Sequence, residues 1–307
     1  MYLNKNFFLK LLALLLFLFT ADRLGEKILY SFFSNAKYNQ SREINYILNE
    51  VKSDVLIFGS SRASHHYIPS IISDSLKLSV YNCGHDGQCI YYHYCLLKMI
   101  KERYLPEIII LDLFYSELFV SANANLENIK LLTPFYGNDE DLDSLINSIS
   151  PFEKYKMTSK LYRYNSKLTD IFIDNFIKTD QNWENGYVPI FDEMKTVKYL
   201  KFSSVEQIVE QGKISYLEKF ITFCKENNIK LLLCVSPVHY ICEDKEGFIP
   251  AQKIAEKHDV PILDHYCNSS FSKNNSLFKD ETHLNHNGAT IFSSIIRQEI
   301  KSYLTDN

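Results

Sequence analysis

The sequence predicts a three-layer α/β/α sandwich built on a parallel sheet. Three observations carry this expectation: short apolar runs bounded by turn residues recur along the chain, helical stretches lie between them, and the runs are apolar throughout rather than alternating. Strands covered by helices on both faces require that pattern. The 307 residues suffice for a large core, and 46% hydrophobic against 23% charged residues excludes a disordered chain. With 33 Lys and Arg against 37 Asp and Glu the net charge is −4. The chain lacks the basic surplus that phosphate-backbone binding needs, which sets nucleic acid aside as a partner.

The first element is FFLKLLALLLFLFTA, Phe7 to Ala21, with Lys5 before it and Lys10 within it. It is apolar all round, whereas a core helix would carry one stripe, so it reads as a targeting signal. It is short for a span of about 20 residues. No small-x-small cleavage site follows, since the next residues are Asp22, Arg23 and Leu24, and an uncleaved signal anchor over residues 1–22 is favoured over a cleaved signal peptide. Lys5 and Lys10 then put the remaining chain outside the cytoplasm, in a periplasm or at a cell surface. Residues 23–53 form a linker and an amphipathic helix, Ser41 to Ser53, in which Ile44, Ile47, Leu48 and Val51 recur at i, i+3, i+4, i+7.

Residues 54–307 hold the sandwich. Its expected strands, all buried, are Asp54 to Phe58, Leu78 to Tyr81, Ile108 to Leu111, Ile229 to Val235 and Val260 to Leu263. Its expected helices include Gln88 to Tyr104, Ile214 to Asn227 and Gly288 to Leu304. About a hundred residues separate the third and fourth strands where a crossover needs a dozen or so. An insertion at about 117–211, rich in Tyr, Phe, Asn and Asp and holding Trp183, fills that gap. Two readings of it stand, a cap over the active site and a helical excursion that never touches substrate. The seven cysteines show no C-x-x-C pair and no zinc-type spacing, so they read as small core residues, which sits uneasily with an oxidising compartment.

Ligands bind beyond the carboxyl ends of the strands of such a sheet, so the residues there carry the chemistry. The first strand runs into Gly59-Ser60-Ser61-Arg62, the second into Asn82-Cys83-Gly84-His85-Asp86-Gly87, and the fifth is followed by Asp280-Glu281-Thr282-His283. A hydroxyl is a weak nucleophile and needs a His base whose tautomer a carboxylate fixes. Ser61, His283 and Asp280 supply that set, and the three-residue spacing lets Asp280 orient the imidazole, with Glu281 as its substitute. The small Gly84 offers a backbone N–H to an anion. Arg62 admits two readings, a hold on an anionic substrate group and a structural ion pair. His65 and His66 point about 100° apart on a helix, which argues against a metal site shared with His85, Asp86 and His286. His239, in SPVHY after the fourth strand, has no assigned role, and Asn285 orders the loop before the last helix.

On these residues the sequence resembles the SGNH (GDSL-type) hydrolase superfamily over most of Asp54 to Leu304, outside the insertion. The resemblance implies a flavodoxin-like sheet, Ser61 as nucleophile, Ser61 and Gly84 as oxyanion donors, Asp280 and His283 as the remaining pair, and no cofactor or metal. Ser60 stands where the family usually has Asp. The Gly-x-Asn-Asp block is missing, for Asp112-Leu113-Phe114-Tyr115 follows the third strand. That departure and the anchor resemble the membrane-anchored branch acting on O-acyl groups of cell-surface polysaccharides.

The expected activity is thus a Ser-dependent esterase or O-acetyltransferase acting on acyl, foremost acetyl, esters of carbohydrate. A transferase would draw on a separate membrane-embedded acyl-donor protein. The alternative is a non-catalytic protein of the same fold that binds glycan or scaffolds an assembly. A nucleotide-binding protein is excluded by the lack of G-x-G-x-x-G after the first strand and of a Walker Lys.

Overall fold

The structure is a computed structural model that describes residues 5–74, 76–120, 125–177, 184–195, 208–239 and 249–306. Trp183 and Cys242 lie outside the described residues, as do 121–124, 178–183 and 196–207 of the expected insertion. The helices are α1 (Lys5–Ser34), α2 (Asn39–Asn49), α3 (Ser61–His66), α4 (Pro69–Ser73), α5 (Ile90–Lys101), α6 (Glu140–Ile149), α7 (Glu153–Lys156), α8 (Leu168–Phe176), α9 (Gln211–Glu226), α10 (Ile249–Lys257) and α11 (His286–Asp306). The strands are β1 (Val55–Phe58), β2 (Val80–Asn82), β3 (Ile108–Asp112), β4 (Lys230–Val235) and β5 (Ile262–Asp264). The chain divides into two compact units, one of Met1–Tyr46 with Ile129–Asp180 and one of Ile47–Asn128 with Gln181–Asn307.

The second unit contains the predicted α/β fold. Its five strands pair in the order β2-β1-β3-β4-β5, every pair parallel. Alternate side chains of a strand point to opposite faces, and the core follows that rule. Val55, Ile57, Ile108, Ile110 and Leu232 pack with Phe292, Ile296 and Ile300 of α11. Phe58, of the other parity, meets Phe220 of α9 and His93 of α5, with ring centroids 5.7 and 6.3 Å away. Both faces are thus covered, which is why β1 is apolar at every position and β3 at every position before its closing Asp112. β5, at one sheet edge, departs from the expectation of a buried strand: Ile262 and Leu263 are half-buried and Asp264 is exposed, whereas β2 at the other edge is buried throughout.

The first unit is helical. Asp22 of α1 accepts from the Ser159 hydroxyl and from the backbone N–H groups of Lys160 and Leu161, 3.0 and 3.1 Å away. Phe33 is buried between the rings of Phe135 and Tyr164. The large apolar side chains of α1 from Phe7 to Phe19 are all exposed. Beyond them Leu24, Ile28 and Phe32, spaced i, i+4, i+8, remain exposed, as do Leu168, Phe172 and Phe176 of α8. The two ladders meet at Phe32 and Phe176, 6.3 Å apart. No helix among the described residues is long and apolar enough to cross a membrane.

The cysteines divide into two kinds. Cys83, Cys89, Cys95, Cys224 and Cys234 are buried and outside any disulfide, the small core residues the sequence suggests. Cys267 is disulfide-bonded, which the reading of the cysteines as core residues did not include.

Candidate active site

In a parallel sheet all carboxyl ends lie on one side, so the segments after β1, β2 and β5 converge there although 222 residues separate Ser61 in the first from His283 in the last. β1 leads into Ser61, the first residue of α3. The third segment is the loop from Phe278 to Leu284, closed by an antiparallel bridge between those two residues. Ser61 Oγ lies 2.8 Å from His283 Nε2. His283 Nδ1 is 2.9 Å from both oxygens of Asp280. A carboxylate only accepts, so the Nδ1 proton is donated to Asp280 and Nε2 carries the lone pair that faces the Ser61 hydroxyl. All three side chains are half-buried, within reach of solvent.

Asp280 is the carboxylate partner, and Glu281 instead accepts the His239 N–H on its backbone carbonyl at 2.9 Å. Burial opposes ionisation of Asp280. Hydrogen bonding and attraction from His283, with the backbone N–H groups of Thr282 and His283, outweigh it and hold the carboxyl far below the usual carboxylate range. Asp280 is therefore charged at neutral pH, as a group that orients an imidazole has to be.

Gly84, expected as an oxyanion donor, lies in the turn after β2. Its N–H is donated to Asn82 Oδ1 at 2.9 Å, because a short amide side chain two residues back closes a local turn on it. Glycine is needed here for a different reason: a Cβ would come within 2.4 Å of the Ser64 backbone nitrogen and 2.7 Å of Ala63 Cβ. The residue lets the β2 turn lie directly against α3.

Arg62 takes the structural of its two readings. Its Nη2 donates to Asp112 Oδ2 at 3.2 Å and to Leu113 O at 3.2 Å, with both side chains almost wholly buried. Asp112 Oδ1 also accepts from the Tyr67 hydroxyl at 2.6 Å and from Ser236 N–H at 3.0 Å. The residue that stands where the resemblance expects an oxyanion donor block is thus the hub of a buried polar network. The sequence signal was a lone Asp closing an all-apolar strand, since such a buried charge demands a partner.

His65 and His66 diverge as their adjacent helix positions require. His65 Nδ1 donates to Val188 O at 2.7 Å, and its Nε2 lies 3.6 Å from Asp86 Oδ1. His239 Nε2 donates to Asn275 Oδ1 at 2.7 Å, so it braces the loop that carries Asp280. Asn285 does order the entry to α11, accepting Gly288 N–H and donating to Ser276 O.

The segment Glu184–Met194 lies beside this site, and its first half falls in the patch NWENGYVP of the expected insertion. Its backbone bonds Asn82 through Asn185 O, Ser64 through Val188 N, His286 through Ile190 O and Phe278 through Met194 N, at 2.6–2.9 Å. It thereby straps α3 to the loop of His283. Gly186 sits at φ +87°, and a Cβ there would meet Asn82 O at 1.9 Å. Gly186→Ala is expected to destabilise the fold by roughly 2–4 kcal/mol, the sum of a left-handed penalty and overpacking against backbone, read from urea unfolding. A loss below about 0.5 kcal/mol would show that the strap yields freely.

One protein-family model matches residues 153–305, a stretch that contains Asp280 and His283 but not Ser61. No curated protein matches the chain. The solved structures it resembles are acylhydrolases and esterases. A Bacteroides fragilis protein assigned as an acylhydrolase shares 15% identity over 87% of this chain and 97% of its own, with a TM-score of 0.41. The esterase EstA of a Pseudoalteromonas species shares 11% over 82% and 98%, with 0.40. An acetyl xylan esterase shares 14% over 81% and 98%, with 0.40. At such identities and scores the function has to be argued from the site itself.

Proposed function

We propose that the chain is a serine-dependent ester hydrolase or O-acyltransferase of the SGNH type, acting on acyl, foremost acetyl, esters of cell-surface carbohydrate. The observation that carries this reading is the continuous chain from Ser61 Oγ through His283 to Asp280. As Oγ attacks the ester carbonyl, its proton passes to His283 Nε2, and Asp280 stabilises the imidazolium. The developing oxyanion is met by the Ser61 N–H, which opens α3 and so has no acceptor within the helix. Collapse breaks the ester C–O bond, and the leaving alkoxide takes the proton from His283. Water or a sugar hydroxyl then attacks the acyl-Ser61 ester, giving its proton to His283, which returns it to Ser61 Oγ.

The test is turnover of p-nitrophenyl acetate with and without a glycan acceptor, beside labelling by a serine-directed phosphonate. Acceleration by the acceptor identifies a transferase, whose acyl groups we assign to a separate membrane-embedded donor protein. A second reading, a non-catalytic glycan-binding or assembly protein, is favoured by Asp112 in place of a donor block and by the engaged N–H of Gly84. An unlabelled, inert wild type selects it.

The address belongs to the same proposal: α1 anchors the chain in a membrane with the site outside the cytoplasm. The exposed apolar surface from Phe7 to Phe19 supports this, with Lys5 and Lys10 to reach the headgroups. The disulfide at Cys267 is in keeping with an oxidising compartment. The full chain is expected to float with phospholipid vesicles in a density gradient and a chain lacking residues 1–21 to stay below. Equal flotation of the two would count against the anchor.

A further inference from the structure

We infer that the buried imidazole of His66 holds the His283 loop in register with Ser61, making His66 a positioning residue for the base. This rests on the reading of Ser61, His283 and Asp280 as a catalytic set. His66 closes α3, the helix that Ser61 opens, and is wholly buried. Leu284, the residue after His283, donates its backbone N–H to His66 Nε2 at 2.9 Å. An N–H donor requires a lone pair on Nε2, so the ring proton sits on Nδ1 and is donated to Ser236 Oγ at 2.9 Å. Ser236 is held in turn by its N–H on Asp112. One neutral ring therefore joins the nucleophile's helix, the ends of β3 and β4, and the backbone of the base.

His66 also holds the C-terminal side of His283, one residue before the Asn285 N–H that is donated to Leu277 O at 3.0 Å. Toward the N-terminus the loop is closed by His283 N–H on Asp280 and by Lys279 N–H on His283 O, both 2.9 Å. Toward the C-terminus the imidazole is the acceptor for Leu284, itself fully buried. Without it Leu284 N–H would have to turn in search of another acceptor, and His283 would turn with it. Burial first, then the Arg62 charge and the neighbouring His283 and His65, push His66 well below the ordinary imidazole range, so it stays an acceptor at neutral pH.

The experiment uses the full chain in detergent and reads the downfield proton resonance of His283 Nδ1–H on Asp280, beside p-nitrophenyl acetate kinetics. His66→Ala is expected to lose the resonance and to lower kcat on the order of 100-fold, as a misplacement of about 1 Å does, with KM within about twofold. His66→Gln, whose amide offers one acceptor and one donor, should keep the resonance and recover at least about tenfold of the loss. An unchanged resonance in His66→Ala, or equal behaviour of the Ala and Gln variants, overturns the inference. Should His66→Ala fail to fold, Gln is compared with Asn, which carries the same amide one methylene short of Leu284; equal resonances then overturn it. If the wild type turns over no ester yet the resonance depends on His66, the positioning role stands and the enzymatic reading falls. If turnover is present and the resonance ignores His66, the reverse holds.

Discussion

On the proposed mechanism, Ser61→Ala is expected to lower ester turnover on the order of 10⁴-fold or more, because it removes the atom that would form the acyl-enzyme. Nothing nearby can replace it. The Ser64 hydroxyl, one turn further along α3, is donated to Ser61 O and Asp86 Oδ1 at 3.0 and 2.8 Å, and so points away from His283. The residual rate would come from binding and the oxyanion donor alone. Phosphonate labelling should vanish with it, while the fold stays intact because only a half-buried hydroxyl is lost. A variant within tenfold of wild type would remove Ser61 from the chemistry, whatever its distance from His283.

The second large effect is on stability. Asp112→Ala should cost about 3–5 kcal/mol in urea unfolding, since it leaves the Arg62 guanidinium buried without its counter-charge. Tyr67 OH and Ser236 N–H lose their shared acceptor at the same time. Replacing Asp112 by Asn keeps an oxygen for those two donors and should lose less. A cost under about 1 kcal/mol for the Ala variant would mean that the network relaxes or admits water. Because Ser236 holds His66, the same variant is expected to disturb His283.

What could be read in advance follows from the range of the interactions involved. Ile108 to Leu111 announced a buried strand because each of its residues is apolar, and burial on both faces leaves no other composition. Asp280 and His283 could be paired because a spacing of three residues keeps them within reach of one another in any tight loop. The hydrogen bond of the Gly84 N–H was not legible, for the opposite reason. Which way a backbone N–H points in an irregular turn depends on Asn82 two residues away and on α3 pressed against it, and neither is written in the triplet Asn82-Cys83-Gly84. The patch NWENGYVP stood out by composition, but the partners of the strap from Glu184 to Met194 were not readable because it bonds through its backbone, which every sequence possesses.

The two predicted roles of Arg62 were divided by contacts of the same kind. A lone Arg after a Ser is compatible with a substrate anion or with an ion pair. The choice fell on Asp112, fifty residues away, because β1 and β3 are adjacent in the sheet and both end on one side. His66 belongs with it: its sequence neighbours reveal a helix, and its partners Leu284 and Ser236 are 218 and 170 residues distant.

By itself the sequence determined the α/β class, the apolar N-terminal rod and the three side chains that could form a nucleophile, base and orienting carboxylate. Those depend on composition, local period and short spacing, which the chain carries wherever it folds. Tertiary structure decided that Ser61 meets His283 at 2.8 Å, that Arg62 belongs to Asp112, and that His66 grips the loop of the base. Such pairings are made across strand order, and strand order is a property of the whole sheet rather than of any segment in it.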